Sequence, residues 1–324
     1  MKTGKISESV LKRSVLKYIK SGNQMVKNGA GVGSDCAIFV CGNALGVQAA
    51  AVFLLQQPAD IYYPFYKAAN NVACSGAVPG MALLTLTLPE TAEERELQEL
   101  MREADTAAKS LGLQLAGGHT AVLAELSAPI ASVTVTGILE EAAPQPKGAG
   151  PGQDIVMTKW AGLEGTALLA ERYKDRLRER YPLHMIEEAA AFKRQLSVIP
   201  EAATAAKSNV SAMHDVSTGG IFAALWELAE SAGVGLAVDL KKIPIKQETV
   251  EVCEFFALSP YELLSGGCLL MTTDSGERLV QALEAVHIPA AVIGRTTDGN
   301  DRVVINEEES RFLERPKTDE ITKI

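Results

Sequence analysis

Residues 142–152 read Ala-Ala-Pro-Gln-Pro-Lys-Gly-Ala-Gly-Pro-Gly, a stretch through which no helix or strand can run. Each proline fixes φ and removes a backbone donor, and each glycine adds chain entropy that a regular element must suppress. The 324 residues are thereby split into two parts, each long enough to bury a core of its own. This places an N-terminal domain over 1–145 and a C-terminal domain over 150–324, with the breaker segment as boundary.

Both parts alternate strand and helix patterns. In the first, an apolar pattern predicts strands over 36–41, 46–55, 81–88, 113–116 and 130–139, with a helix over 62–75. Thr91 and Glu94 form a capping-box pair ahead of a second helix, whose Leu97, Leu100, Met101, Ala104, Ala108 and Leu111 share one face before Gly112 stops it. In the second, strands are expected over 154–159, 268–272, 291–293 and 303–305, and helices over 165–178, 186–196, 221–229 and 277–286. Ahead of all this, Leu11, Val15 and Ile19 recur at helical spacing in a basic stretch and predict an amphipathic surface helix. The halves are alike in architecture without a visible sequence repeat.

A formal charge of −9 argues against nucleic-acid binding, which draws its affinity from clustered Lys and Arg. No apolar run approaches the roughly 20 residues of a membrane span, and no hydrophobic signal core opens the chain, so a cytoplasmic protein is expected. The cysteines Cys36, Cys41, Cys74, Cys253 and Cys268 form no CxxC pair and read as buried free thiols. Nucleophile-elbow, Walker and HExxH motifs are all missing from the sequence.

The chemistry therefore rests on dispersed segments that set small residues beside polar ones. Gly31-Val-Gly33-Ser-Asp35 offers glycines that let a ligand approach the backbone and a carboxylate for a cation, with a plain loop as the competing reading. Gly117-Gly118-His119-Thr120 joins amides to an imidazole, although taken alone such a histidine is more often a hydrogen-bonded structural one. His214-Asp215-Val-Ser217-Thr218-Gly219-Gly220 precedes a helix, where unpaired amides and the helix dipole suit phosphate; capping by Ser217 or Thr218 is the alternative. Thr158-Lys159, with Gly162-Leu-Glu-Gly-Thr166, puts a lysine and hydroxyls near another helix start, or forms a surface loop.

Taken in order, these segments resemble the PurM superfamily of ATP-dependent enzymes. The wording Gly-Gly-His119-Thr, Thr158-Lys-Trp-Ala-Gly-Leu-Glu-Gly-Thr166, Met213-His-Asp-Val-Ser-Thr-Gly-Gly220, Ile243-Pro-Ile245 and Leu258-Ser-Pro260 with Ser265-Gly-Gly267 is similar to a HypE-like, AIR synthase-related subgroup. The resemblance runs from about Lys5 to Gly294. It implies an α/β (α+β) two-domain PurM-like fold, with an N-terminal ferredoxin-like or bacillus chorismate mutase-like sheet domain and a C-terminal mixed α/β domain. It further implies a homodimer that pairs its N-terminal sheets, ATP and Mg²⁺ as cofactors, and activation of a small-molecule oxygen by the γ-phosphate, with a metabolite or a hydrogenase-maturation partner.

By the same resemblance Asp35, His119 and Asp215 are the catalytic candidates, and Asp35 and Asp215 the metal ligands. Gly31, Gly33, Asn71, Gly117, Gly118, Thr120, Lys159, Gly219 and Gly220 are the nucleotide-binding candidates. The sequence also departs from the pattern. Gln48-Ala-Ala-Ala-Val52 stands where relatives carry a Thr-Asp pair, Asn70-Asn71 where they carry Asn-Asp, and Ala121 where an acidic residue is expected. No cysteine follows Cys268, so cyanide formation on a carboxy-terminal cysteine is not expected. Two functions follow: an ATP-using enzyme, or a catalytically degenerate nucleotide- or anion-binding paralogue that acts as a regulatory or assembly partner.

Overall fold

A computed structural model of the chain describes residues 6–32, 35–139, 148–315 and 318–324. Gly33 and most of the breaker segment lie outside the described residues. Two compact units result, Ser21–Ala143 and Pro144–Ile324, and Met1–Lys20 is grouped with the second of them rather than with the sheet it precedes. Each unit has its own sheet, as the mixed α/β, two-domain expectation requires.

The first helix, α1 (Glu8–Ser14), is short, held by a Glu8–Lys12 ion pair. Val15 leaves helical geometry at φ −123°, a short 3₁₀ turn follows over Leu16–Tyr18, and no residue of either piece is buried. The expected stripe through Ile19 is thus cut at a β-branched residue, where helix propensity is weakest and no packing compensates.

The N-terminal unit runs β1 (Val26–Asn28), β2 (Ala37–Cys41), β3 (Ala44–Leu54), α2 (Tyr62–Cys74), β4 (Val78–Pro89), α3 (Glu94–Ser110), β5 (Gln114–Leu123) and β6 (Ile130–Leu139). The sheet order is β1-β2-β3-β6-β4-β5, antiparallel except for β4 with β5, which α3 links as a crossover. One face is apolar and covered: Val47, Ala49, Leu84, Leu86, Val133 and Val135 are buried, together with Phe65, Ala69 and Val72 of α2. The other face stays open. On it Val52 pairs across to Ser132, Ser132 to Thr85 and Thr85 to His119, a single row spanning four strands. α3 starts from Glu93 with no side-chain cap, so the Thr91–Glu94 box does not form; the turn ahead of it places Thr91 two residues upstream of the N-cap.

The C-terminal unit continues with β7 (Asp154–Thr158), α4 (Leu163–Arg172), α5 (Lys174–Leu177), α6 (Leu183–Ala191), α7 (Ile199–Ala206), β8 (Ala212–Val216), α8 (Gly220–Ala232), β9 (Gly235–Asp239), α9 (Gln247–Phe256), β10 (Cys268–Thr273), α10 (Gly276–Glu284), β11 (Ala290–Thr297), β12 (Arg302–Asn306) and β13 (Glu309–Phe312). Its sheet order is β13-β12-β9-β11-β7-β10-β8, with only β12 and β9 parallel. All six residues of β10 are buried, which explains why its sequence shows no alternation: a strand covered on both faces has no solvent side to show. The helix expected over 165–178 breaks at Tyr173, φ −117°, into α4 and α5, and the one expected over 186–196 ends as a 3₁₀ turn from Phe192. Among the described residues no helix is long and apolar enough to cross a membrane.

Candidate functional site

In the N-terminal unit the Gly-Gly-His-Thr run lies inside a strand instead of at its end. Residues 117–120 are part of β5, the edge strand, and all four are exposed. The pairing with β4 skips Ala116, a bulge that re-aims everything after it. Gly118 then passes so close to β4 that a Cβ there would lie 1.7 Å from the Leu84 carbonyl oxygen. Only glycine fits. Beside the strand an open depression of about 410 Å³ is lined by Leu84, Met101, Leu115 and residues 116–120. His119 borders this depression and by register also falls in the row with Thr85, Ser132 and Val52 on the open face.

The Gly31 segment leads into β2. Asp35 is exposed, and the thiol of the next residue, Cys36, donates to the Asn71 carbonyl at 3.1 Å, which ties this loop to α2. Asp35 and Asn71 are thus carried by neighbouring segments, while Asn70 is buried at 3% exposure. Cys41 is exposed, Cys36 half-buried and the remaining three thiols buried, which corrects the expectation that all five are interior.

In the C-terminal unit, β8 carries His214 and Asp215 just before its last residue, Val216, and α8 begins at Gly220, with Gly219 as its N-cap. Asp215 is buried at 8% exposure, and His214 Nε2 lies 3.2 Å from Glu227 Oε2 on α8. Neither Ser217 nor Thr218 caps the helix; the N-cap is Gly219 in the left-handed region, φ 83°. A Cβ on Gly220 would meet the Tyr261 carbonyl oxygen at 2.4 Å, so the second glycine admits the loop over 258–265.

That loop brings in a group the sequence reading missed. Asp319, 2% exposed, accepts the Gly219 amide at 2.5 Å, the Leu264 amide at 3.2 Å and the Ile321 amide at 3.0 Å. A carboxylate from a hundred residues away therefore already answers the Gly219 donor. Glu320, next to it, accepts the Ser259 amide at 2.9 Å. No local sequence pattern announces such a contact.

Lys159 is also placed differently from a ligand-facing lysine. Its ammonium donates to the Gln195 carbonyl at 2.8 Å and the Ser197 carbonyl at 2.6 Å and pairs with Glu201 Oε1 at 2.6 Å. With 9% and 3% of their side chains exposed, the two form a buried ion pair. The neighbouring Gly162 and Gly165 are packing glycines: a Cβ on Gly165 would strike Leu263 at 2.4 Å, and the Gly162 amide donates to Ser265 Oγ at 2.7 Å. Cys268, wholly buried beside this pair, has its thiol pKa pushed up to about 12 by burial, the Lys159 charge offsetting part of it. Lys159→Met is expected to destabilise the protein by about 3–5 kcal/mol, because Glu201 is left charged and buried, and Lys159→Met with Glu201→Leu should recover much of that loss. Denaturant midpoints of the two variants check it; equal midpoints for wild type and Lys159→Met would remove the buried-pair argument.

Comparison with known proteins gives the segments a common setting. The description "AIR synthase related protein, C-terminal domain" matches residues 150–306, and its N-terminal counterpart matches residues 65–139. The carbamoyl dehydratase HypE of Rhizobium leguminosarum bv. viciae is 25% identical over 234 residues, which cover 69% of this chain. The chain spans 64% of that relative's length, less than two thirds. HypE in a HypE–HypF complex superposes with a TM-score of 0.74 at 18% identity, covering 95% of this chain and all of that one. A hydrogenase maturation protein HypE in complex with ATP gives 0.66 at 18% identity, covering 98% of this chain and 97% of that one. At such identities the structures share the fold.

Proposed function

The chain belongs to the AIR synthase related family, and from that premise we propose that it is an ATP-using enzyme of the HypE-like branch, acting in hydrogenase maturation. In the proposed step a substrate oxygen attacks the γ-phosphorus, the bond to the β-phosphate oxygen breaks, and ADP leaves. The observation that carries this reading is the exposed Gly117–Thr120 run on edge strand β5, where Gly118 is held by a backbone approach that no other residue tolerates. An edge strand presents amides with no ladder partner, and these suit a chain of phosphate oxygens. Relatives named as dehydratases and a neighbour crystallised with ATP support an enzyme over a degenerate paralogue.

Magnesium fits the donors in kind. Asp35 and Asp215 supply hard carboxylate oxygens, whereas Asn70 and Asn71 offer at most neutral carbonyls. Mg²⁺ supplies charge neutralisation for the triphosphate; the chain's part is to present Asp35 from the loop before β2 and Asp215 from the end of β8. Gly31, Asn71 and Thr120 are the further nucleotide contacts of this reading, whereas Gly219 gives its amide to Asp319 and Gly220 makes room for the loop over 258–265. Calorimetric titration with ATP, with and without Mg²⁺, tests it. Saturable, magnesium-dependent binding is expected, and no binding in either condition would sink it. We also place the protein in the cytoplasm, with a maturation protein as partner.

A second copy is the proposed occupant of the open face of the N-terminal sheet. Val52 is 66% exposed there and Leu54 53%, amid Ala50, Thr134, Leu83 and Thr85, with no charged side chain in the group. A neutral face of this kind is self-complementary, as a two-fold interface demands. It would bring His119, in the same row as Val52, against the partner. Val52→Asp sets two carboxylates into that contact and is expected to weaken dimerisation roughly a hundredfold. Light scattering after gel filtration decides it, and a wild-type monomer would end the dimer reading.

A further inference from the structure

The C-terminal unit holds a second cavity that none of the proposed nucleotide contacts explains. It encloses about 240 Å³ between α8, the loop over 258–265 and the β12–β13 hairpin. Its floor is Phe222, stacked on Tyr261 at 5.2 Å with an interplanar angle of 9°. Val304 and Leu313 continue the apolar lining, and the Arg311 guanidinium stands 5.7 Å from the Phe222 ring centre. Ser259 and Glu262 line it from the loop.

The loop that carries Ser259 and Glu262 is fixed by buried carboxylates. Glu320 accepts the Ser259 amide, Asp319 accepts the Leu264 amide, and the Glu262 carbonyl accepts the Glu320 amide at 3.4 Å. Backbone held in this way does not need ordering when a ligand arrives, so less affinity is lost to entropy. Asp319 also takes the Gly219 amide, so an anion in the cavity is met by Arg311 and not by that donor. Of the other charged residues in the lining, Arg315 lies 5.8 Å from the Trp226 ring, and Glu314 has a partner of its own.

Charged side chains of both signs around an apolar floor define a ligand class. We propose that this cavity binds a small zwitterion with an apolar body, an α-amino acid the size of valine or leucine. Arg311 pairs with its carboxylate, Glu262 and Ser259 with its ammonium, and Phe222, Val304 and Leu313 with its side chain. The volume equals about eight water-sized groups at ~30 Å³ each, which suits that size. Carboxylate recognition by a guanidinium supplies direction as well as charge.

The probe is L-leucine, titrated into the full chain by calorimetry, with acetate and isobutylamine as single-charge controls. Saturable 1:1 binding of leucine, without binding of either control, is expected. Arg311→Gln and Glu262→Gln should each weaken it at least about tenfold at an unchanged melting temperature. No saturable binding of leucine or valine at about 10 mM would overturn the proposal. So would binding that both variants retain at full strength, since the ligand would then sit elsewhere. Should Glu262→Gln lower the melting temperature, Arg311→Gln, on an exposed strand, carries the decision alone.

Discussion

Gly118→Ala is expected to part β4 from β5 and to remove nucleotide binding with it. The new Cβ would lie 1.7 Å from the Leu84 oxygen, 2.5 Å from the Leu84 carbon and 2.8 Å from the Leu84 nitrogen. All three are backbone atoms, so no side chain can swing aside. Parting the strands by more than an ångström takes their hydrogen bonds well beyond the usual 2.7–3.2 Å and loses them. Gly118 also sits at φ 150°, where an L-residue is strained. The cost is about 3 kcal/mol or more, a large share of the roughly 5–15 kcal/mol that holds a domain folded. Gly80→Ala in the partner strand β4 is the control, since nothing lies within 4 Å of its Cβ position. Denaturant midpoints and hydrogen exchange across β4 and β5 provide the measurement. An unchanged midpoint for Gly118→Ala would show that the strands have slack enough to take the Cβ, and would remove the close-approach argument.

The same glycine shows what was legible in the sequence. The pair at 117–118 was visible as a place where amides meet an imidazole, but it was placed at a strand's end. Glycines read as breakers, and only the bulge at Ala116 with the parallel partner β4 lets a strand continue through them. Where burial is one-sided the periodic signal served well: β3, β4 and β6 alternate as a half-covered sheet must. Short elements buried among others escaped it. The strand β9 and the helices α7 and α9 have too few residues to show a period, and their partners lie far along the chain.

Long-range partners also divide the site. The small residues around Gly162 and Gly219 looked alike in the sequence, yet Gly165 answers to Leu263 and Gly220 to Tyr261, both packing relations. Lys159 looked available to phosphate until Glu201 and two carbonyls met its ammonium. Asp319 and Glu320 had no pattern around them at all. What identifies these groups is a contact across 36 or more residues of chain, and periodicity carries no information about such contacts.

Asp215→Asn is expected to lower magnesium-dependent ATP turnover roughly 10²–10³-fold, while leaving the fold intact. The substitution keeps the size and one oxygen acceptor, and removes the charge. A hard cation gains most of its binding from anionic oxygen, so the neutral amide loses the ion, not the side chain's place at the end of β8. The buried position sharpens the effect, because a charge at 8% exposure interacts more strongly than one in water. Asp35→Asn, at an exposed loop position, is expected to act in the same direction with a smaller loss. Calorimetry gives a readout that needs no substrate: wild type should bind ATP more tightly with Mg²⁺, and Asp215→Asn should bind it alike with and without the ion. If the variant kept the full magnesium dependence, Asp215 would be structural, and the His214–Glu227 pair beside it would be part of a strand-to-helix junction with no metal to serve.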